Sequence, residues 1–391
     1  MKSSKLYLLL YFIFISILLL SCVETSYVTA DISFNPKAKT RKVFDTDIIK
    51  GVKLIKLESD SCIVGRIDRI ICNDTLLYVM DRHITEGVFI FTTKGRFVNK
   101  ISRQGHGKYE YTQLWDIFFD KRKNALCLLC NYDKKIISFT PDGKKILGES
   151  RLPLSFTQIV PTVHGYIGYR GNSIHNPSMP YNLWTMDKSF NLIDGFLPVK
   201  PQLEGYSHTQ VCPMSVYGDV VYFKPEYENT IYQIKEGEIS PIYVLSFGSK
   251  TFPDLFSVPS HKNRTEWVHL VNEKVANIYY YVETSEYILM SFILDHQYCL
   301  GIYNKHTQTT EIARQTCYVG EYLFSFGQIR GMDQSAIYSI LNYEEIYEVW
   351  HGHNEFVNFE KDYPKQVDNL RKLFPHLEEN GNPFIAIYSL K

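Results

Sequence analysis

One repeat recurs along the chain and constrains its fold more than any other feature. In each copy, a short run of apolar and aromatic residues leads into a tight polar turn. The copies lie at residues 88–95, 136–143, 183–189, 231–237, 300–306 and 384–391. Successive turns in the first four copies are 48, 46 and 48 residues apart, and the fifth follows after 69 because of an insertion.

Each copy is preceded by two further strand-like runs, as at residues 67–72 and 76–81 in the first unit. Four short antiparallel strands in a unit of about 48 residues are typical of a β-propeller blade. The pairs Lys94-Gly95 and Asp142-Gly143 suit two-residue hairpin turns, because glycine accepts a positive φ. The sequence therefore predicts an all-β fold, a six-bladed β-propeller with four antiparallel strands per blade, over residues 42–391.

The two ends of this domain are expected to meet. The sixth copy stops at Lys391, which leaves no room for a fourth strand in that blade. Residues 52–58 alternate in the manner of a strand, so we expect them to supply the missing edge strand and close the ring. Two short helical insertions are also predicted, at residues 260–274 after the fourth blade and at 364–377 inside the sixth.

Composition agrees with a folded β protein and excludes two other classes. The chain has 42 Lys and Arg against 42 Asp and Glu, so it lacks the basic excess of a protein held on nucleic acid by charge. A hydrophobic fraction of 45% with 21% charged residues excludes a disordered chain. The 15% of aromatic residues favours strands, where such side chains fit the pleated surface.

The N-terminus has the layout of a bacterial export signal. Lys2 and Lys5 precede an apolar run at residues 6–20, which is shorter than the roughly 20 residues that span a membrane. The run ends in Leu19-Leu20-Ser21-Cys22, which resembles a lipoprotein box. The resemblance implies that the signal peptide 1–21 is removed and that Cys22 becomes the lipidated first residue. The alternatives are an uncleaved anchor, or an ordinary signal in which Cys22 has no role.

Lipidation would place the protein in the cell envelope, anchored at the outer membrane on its periplasmic or surface-facing side. An anchor of two or three acyl chains binds a membrane strongly, unlike a single chain. Residues 22–41 show no clear periodicity, and we expect them to form a lipidated tether between the anchor and the folded body.

The stretches at residues 65–70, 77–82, 95–98 and 103–111 resemble the six-bladed β-propeller lipoproteins of Gram-negative gut anaerobes, which are related to NHL-repeat propellers. That family tends to show a Gly-Arg-Gln-Gly-x-Gly-x-Gly-Glu-Tyr loop, where this chain has Ser102 for the first glycine and Lys108-Tyr109 for a frequent Pro-Gly. The resemblance implies the fold and an envelope location. Since the family largely lacks an assigned biochemical function, it transfers no catalytic residue.

Candidate ligand-binding residues come from the loops that join blade to blade and from those that join second to third strands. In propellers these loops crowd one face around the central channel. In this chain they carry many Arg, His and aromatic residues: Arg82, His83, Arg103, His106, Tyr109, Tyr111, Arg170, His175, Tyr181, Tyr206 and His208. Aromatic faces with Arg and His suit a glycan or a peptide. The alternative is that tyrosine is simply frequent in a chain with 29 of them.

No pattern points to a cofactor, a metal or a catalytic motif. Residues three apart in a strand face opposite ways, so Cys127 and Cys130 are interpreted as buried structural thiols. Seven cysteines remain after Cys22, an odd number, so at least one is expected to stay unpaired. Gly105-x-Gly107 precedes a predicted strand and not a helix, so it is interpreted as the passage between two blades.

The sequence thus favours a non-catalytic binding or interaction module. Its partner would be a glycan, a peptide or an envelope protein, in glycan or nutrient handling or in envelope assembly, with no nucleic acid involved. The alternative is a propeller enzyme, a hydrolase or lyase with a metal or carboxylate site at the channel mouth. The resemblance keeps this alternative open, because related propellers include metal-dependent hydrolases and lyases.

Overall fold

The computed structural model describes residues 29–37, 41–44, 48–173, 177–207, 212–254, 264–319, 323–325, 328–352, 358–375 and 381–391. These residues form six sheets, one for each blade, and the four strands of each blade run antiparallel to their neighbours. Each innermost strand contacts the innermost strands of both neighbouring sheets, so the sheets form a closed ring. The predicted six-bladed β-propeller with four-stranded blades is therefore confirmed.

Blades 1 to 5 place their strands in chain order from the innermost outward. Blade 1 contains Arg69–Cys72, Leu76–Asp81, Gly87–Thr92 and Phe97–Ile101. Blade 2 contains Asp116–Asp120, Ala125–Cys130, Lys135–Phe139 and Ile146–Arg151, and blade 3 contains Gln158–Pro161, Tyr166–Tyr169, Tyr181–Met186 and Leu192–Pro198. Blade 4 contains Met214–Tyr217, Val220–Phe223, Thr230–Lys235 and Glu238–Ser246. Blade 5 contains Ile278–Glu283, Tyr287–Leu294, Gln297–Asn304 and Thr309–Val319, whose end also pairs with Leu323–Ser325.

Blade 6 joins the two ends of the chain. Its first three strands are Gln328–Met332, Ala336–Leu341 and Phe384–Leu390, and its outer strand is Ile49–Lys56. The outer strand pairs antiparallel with the last strand of the chain, with Ile55 opposite Ile385 and Val52 opposite Tyr388. The predicted closure is confirmed, with a strand at 49–56 in place of 52–58. Ile55 is buried between blades 6 and 1, so closure also completes a hydrophobic core.

The expected tether needs a correction from Ala30 onward. Ala30–Ser33 lies parallel to the outer strand of blade 4, and Arg41–Phe44 lies parallel to the outer strand of blade 5. Ile32 and Phe34 are buried, and the Phe34 ring stacks on Phe247 at 5.1 Å between centroids. We call residues 30–37 with 41–44 the strap, because they add a further strand to each of two adjacent blades. Residues 22–28, which include Cys22, lie outside the described residues.

Both helical insertions are confirmed. Helix α1, Arg264–Glu273, follows blade 4, and blade 6 carries α2, Tyr343–Trp350, α3, Phe359–Asp362, and α4, Pro364–Leu373. The sequence had predicted only the last of these three within blade 6. Helices α2 and α4 bury Ile346, Val367 and Leu370 against that blade. Short 3₁₀ turns occur at Pro201–Leu203 and Gly248–Lys250. None of the described helices is long and apolar enough to cross a membrane.

The cores lie between adjacent blades. Cys127 and Cys130 are both buried in the second strand of blade 2, where Cys127 packs towards blade 3 and Cys130 towards blade 1. Their interpretation as structural thiols is confirmed, since each faces a different core and neither forms a disulfide. The hairpin turns differ from the expectation, because residues 93–96 form a four-residue connection in which Gly95 has a φ of +83°.

Candidate functional site

Strand direction places the loops of interest on one face of the ring. In every blade the innermost strand begins, and the second strand ends, at the same face. We call it the mouth face. It also carries α1, in the connection from blade 4 to blade 5, and helices α2 to α4, between the second and third strands of blade 6.

A charged cluster closes the channel near this face. Arg69 is the first residue of the innermost strand of blade 1, and its Nε lies 3.0 Å from Oδ1 of Asp116, the first residue of that strand in blade 2. Its Nη1 contacts Sγ of Cys212, which lies beside blade 4 on the opposite side of the ring. Tyr280 of blade 5 also interacts with Arg69. We call these four residues the channel cluster. Because one guanidinium reaches across the axis, it closes the channel. We call the surface above it the basin.

The electrostatics of the channel cluster favour a fixed ion pair beside a neutral thiol. Burial opposes the charge on Arg69, but Asp116, Cys212 and Tyr280 together outweigh burial and raise the pKa of the guanidinium. Burial raises the pKa of Asp116, with Arg69 opposing that rise. Burial also raises the pKa of Cys212 to about 11, so its sulfur is a thiol at neutral pH. A neutral thiol is a poor nucleophile and a poor metal ligand.

Polar residues of the innermost strands also join other neighbouring blades. The Gln158 amide of blade 3 donates to the carbonyl of Met214 at 3.2 Å and accepts from its N–H at 3.0 Å. Arg330 Nε of blade 6 donates to the carbonyl of Ile67 at 2.8 Å. The channel wall is thus held by side-chain contacts between blades, because innermost strands of different blades do not share a hydrogen-bonded ladder.

The rim of the basin beside blade 1 is built on Asp68. Its Oδ1 lies 2.9 Å from Arg66 Nε and 3.6 Å from His83 Nε2, and its Oδ2 accepts the backbone N–H of Arg82 at 2.9 Å. Arg82 extends towards blade 2, donates Nη1 to the carbonyl of Trp115 at 3.2 Å, and lies 5.1 Å from the Trp115 ring centroid. Arg82 also interacts with Asp116, so the rim and the channel cluster are contiguous.

An aromatic pair completes the basin at blade 2. Trp115 directly precedes the innermost strand, and Tyr132 lies in the connection between the second and third strands. Their ring centroids are 6.3 Å apart at an angle of 64°, and Tyr132 is 72% exposed. We call Trp115 and Tyr132 the aromatic corner. It combines an open ring face with charged groups, which are features of a ligand site.

The predicted site residues that the structure describes lie at the mouth face, but several hold the loops together. Tyr111 is fully buried, and its hydroxyl donates to the carbonyl of Glu86 at 2.6 Å. Arg103 Nε donates to the carbonyl of Tyr109 at 2.9 Å within the same connection, and Tyr109 is half-buried. Arg103 also lines a groove of about 280 Å³ along the outer strands of blades 1 and 2. His106 is exposed.

The remaining predicted site residues also divide into exposed side chains and side chains that pack within the fold. His83 is exposed on the rim, whereas the half-buried rings of Tyr181 and Tyr206 pack on Trp184 and Trp267. His175 and His208 lie outside the described residues. The structure thus brings His83 and the Arg82 N–H together at Asp68, and Arg103 onto the carbonyl of Tyr109, but it leaves Tyr181 and Tyr206 in other blades. Direct contact of any of these residues with a ligand stays a prediction.

Two predicted residues belong to a pattern that involves three blades. Arg82, Arg170 and Lys224 each directly follow the second strand of their blade, and each is at most 4% exposed. Each donates to a backbone carbonyl: Arg82 to Trp115, Arg170 to Met179 at 2.7 Å, and Lys224 to Ala276 at 3.4 Å. Burial lowers the pKa of Lys224 to about 8. Arg82 and Arg170 were expected to face a ligand, whereas their side chains instead brace loops.

The sequence analysis missed Arg69, Asp116, Cys212 and the aromatic corner. A usable signal existed, since Arg69, Asp116 and Gln158 are each the first residue of an otherwise mainly apolar strand at the same place in the repeat. Aligning the units would have aligned these three residues. Within the described ranges, no group of three or more His, Cys, Asp or Glu is arranged to hold a metal ion.

The closed ring, with its occluded channel and loop-built mouth, defines this protein as a six-bladed β-propeller. The chain belongs to the family described as a domain of unknown function, DUF4934, which it matches over residues 31–389. That match begins within the strap, so the strap is part of the family's domain. No curated protein matches the chain.

Two solved structures are similar to this chain. A protein from Bacteroides fragilis described as exported is 20% identical, with a TM-score of 0.71, and the alignment covers 93% of this chain and 100% of that one. A member of the DUF4221 family from Bacteroides vulgatus is 9% identical, with a TM-score of 0.47, covering 88% and 98%. At these identities, the first likeness shows the fold alone.

Proposed function

We propose that this protein is a lipid-anchored propeller of the cell envelope whose mouth face binds a ligand or partner without catalysis. The observation that carries the proposal is the basin itself. Arg69 closes its floor, Asp68 and its cations form one rim, and the exposed aromatic corner forms another. An exposed aromatic surface beside a few fixed polar groups is suited to recognition.

The state of the carboxylates favours binding over catalysis. Asp116 is engaged by Arg69, Asp68 by Arg66 and Arg82, and the nearby Asp81 by several backbone N–H groups. A general acid or base needs a carboxyl group that can exchange a proton with substrate near neutral pH. These three groups hold loops and blades together, so the mouth offers fixed charges.

Two features support the envelope location. The sequence Leu19-Leu20-Ser21-Cys22 resembles a lipoprotein box. The similar propeller from Bacteroides fragilis is itself described as exported. Export and lipidation would present the mouth face to ligands outside the cytoplasm.

The proposal is tested by crosslinking in cells that make the full chain. A photoreactive amino acid is placed at Tyr132 or His106 on the mouth face, and at Lys94 or Val163 at the opposite ends of the strands. All four side chains are exposed, so the fold should tolerate the change. We expect light-dependent adducts from the mouth positions alone. Adducts only from Lys94 and Val163, or none from any position, would contradict the proposal.

A further inference from the structure

The aromatic corner is a preformed surface. Thr112, in the connection that carries Trp115, donates both its backbone N–H and its hydroxyl to Oδ2 of Asp133, at 2.9 and 3.0 Å. Asp133 directly follows Tyr132, so this carboxylate ties together the two loops that hold the rings. Arg82 fixes Trp115 from the other side through the contacts described above. A ligand that docks on the corner meets rings whose positions are already set, which lowers the entropic cost of binding.

Buried side-chain oxygens that lack a hydrogen-bond partner among the described residues lie around the corner. The guanidinium groups of Arg69 and Arg82 are engaged by Asp116 and by the Trp115 carbonyl. Three buried side-chain oxygens, Gln113 Oε1, Asn131 Oδ1 and Asp116 Oδ2, receive no hydrogen bond from any residue in the described ranges. Each belongs to a residue within two positions of Trp115 or Tyr132. The Asp116 side chain is only 7% exposed, so its unpaired oxygen is costly without a donor.

We propose that the aromatic corner is a subsite for one ring of a neutral saccharide. This inference rests on the proposed function and names its ligand class. The C–H face of a sugar carries partial positive charge and stacks on the electron-rich face of Tyr132. The sugar hydroxyls supply donors for the unpaired oxygens, with the half-buried amides of Gln113 and Asn131 turning towards the ligand.

The charges near the corner disfavour the other ligand classes. Arg66, Arg69 and Arg82 repel a cationic peptide side chain, although Asp68 and Asp116 neutralise part of this charge. An anionic ligand would have to compete with those same carboxylates for the guanidinium groups. A neutral ligand rich in hydroxyl groups meets neither the repulsion nor the competition, and its flat apolar face matches the exposed ring.

The test uses the full chain in detergent and titrates it with maltohexaose, cellohexaose, mannohexaose and chitohexaose, with hexagalacturonate as an acidic comparison. Calorimetry and tryptophan fluorescence report binding. We expect at least one neutral oligosaccharide to bind. Tyr132→Ala should weaken that binding at least tenfold, whereas Tyr132→Phe, which keeps the ring, should stay within about threefold of wild type.

The matched control is Tyr298→Ala, which removes a 46% exposed tyrosine from blade 5 and should leave binding unchanged. Failure of every neutral oligosaccharide to bind would overturn the inference, as would full binding by Tyr132→Ala. If the mouth positions crosslink in cells but only hexagalacturonate binds, the saccharide class is wrong while the proposed function stands. If no mouth position crosslinks, the proposed function itself fails.

Discussion

At the scale of single residues, Asp81 is a carboxylate of the mouth face that accepts many hydrogen bonds. It is fully buried at the end of the second strand of blade 1. It accepts backbone N–H groups from Gly65, Arg66, His83, Ile84 and Thr85 at 2.9 to 3.2 Å, and also the Thr85 hydroxyl at 3.0 Å. It therefore joins the loop that enters blade 1 to the loop that carries His83. Burial opposes the charged form, but the hydrogen bonds outweigh it and lower the pKa of Asp81.

This network predicts a measurable loss on replacement of Asp81 by asparagine. The amide keeps the size but loses the charge, and one of its two polar ends can only donate. We expect Asp81→Asn to lower the free energy of unfolding by about 3 kcal/mol at pH 7. Asp74→Asn, at an exposed turn, should change it by less than about 0.5 kcal/mol. Urea unfolding of the three proteins measures both effects.

The pH dependence follows from the direction of the pKa shift. A carboxylate with a lowered folded-state pKa stabilises the fold above its unfolded pKa of about 4, and this stability is lost as pH falls through the folded value. The gap between wild type and Asp81→Asn should therefore be full at pH 7 and narrow progressively below about pH 4. A gap of constant size down to pH 3 would show that the charge of Asp81 is not responsible.

At the scale of elements, the strap pairs with the outer strands of blades 4 and 5 and so covers edges that would otherwise be open. Phe34 is 3% exposed and packs on both Phe247 and Phe292, so Phe34→Ala should lower the free energy of unfolding by about 3 kcal/mol. Asn35→Ala, at the exposed neighbouring position, should have almost no effect. Equal unfolding midpoints in guanidinium chloride for the two variants would show that the strap does not pack as described.

The closing strand of blade 6 leads to a stronger prediction, because it holds the ring shut. Ile55 is 3% exposed in the core between blades 6 and 1. Ile55→Asp buries a charge there and exposes the edge of Phe384–Leu390 when the strand detaches, so we expect loss of most of the folded protein and aggregation. Lys56→Ala, one residue along and exposed, should remain soluble. Light scattering and limited proteolysis compare the two, and a soluble, protease-resistant Ile55→Asp would argue against closure by this strand.

At the scale of the whole molecule, the strap limits how far the propeller can lie from its proposed anchor. Only residues 23–29 separate Cys22 from the strap, and this segment spans at most about 30 Å when extended. Blade 4 would therefore stay close to the bilayer, instead of hanging from the longer tether that the sequence suggested. A body held this close has a restricted set of orientations.

The anchor itself is tested by Cys22→Ala in cells fed a labelled fatty acid. We expect loss of the label and release of the protein from the membrane fraction, because the acyl chains supply the attachment. Ser26→Ala, four residues along, serves as the control and should keep both label and location. A Cys22→Ala protein that still carries the label would refute lipidation at this residue.

Most of the architecture could be predicted because it is encoded locally and repeated. The hairpins at residues 88–95 and 136–143 carry their own strand pattern, so the number of blades followed from their spacing. The closing strand followed from the alternation at residues 52–58. The burial of Cys127 and Cys130 followed from the two-residue period of a strand. Each of these features depends on residues close together in the chain or at a fixed period.

The strap and the site were decided by the tertiary structure. Ile32 and Phe34 are too few to reveal a strand, and the segment around them forms one only because blade 4 presents an open edge. Arg69, Asp116, Cys212 and Tyr280 come from four blades and meet because the ring closes. The sequences of the connecting loops predicted that Arg and aromatic residues lie at the mouth face. Only packing decided that Arg82, Tyr111 and Arg170 are buried braces and that Tyr132 stays exposed. The reason is physical: burial depends on the neighbours that the fold brings together, and local sequence does not contain them.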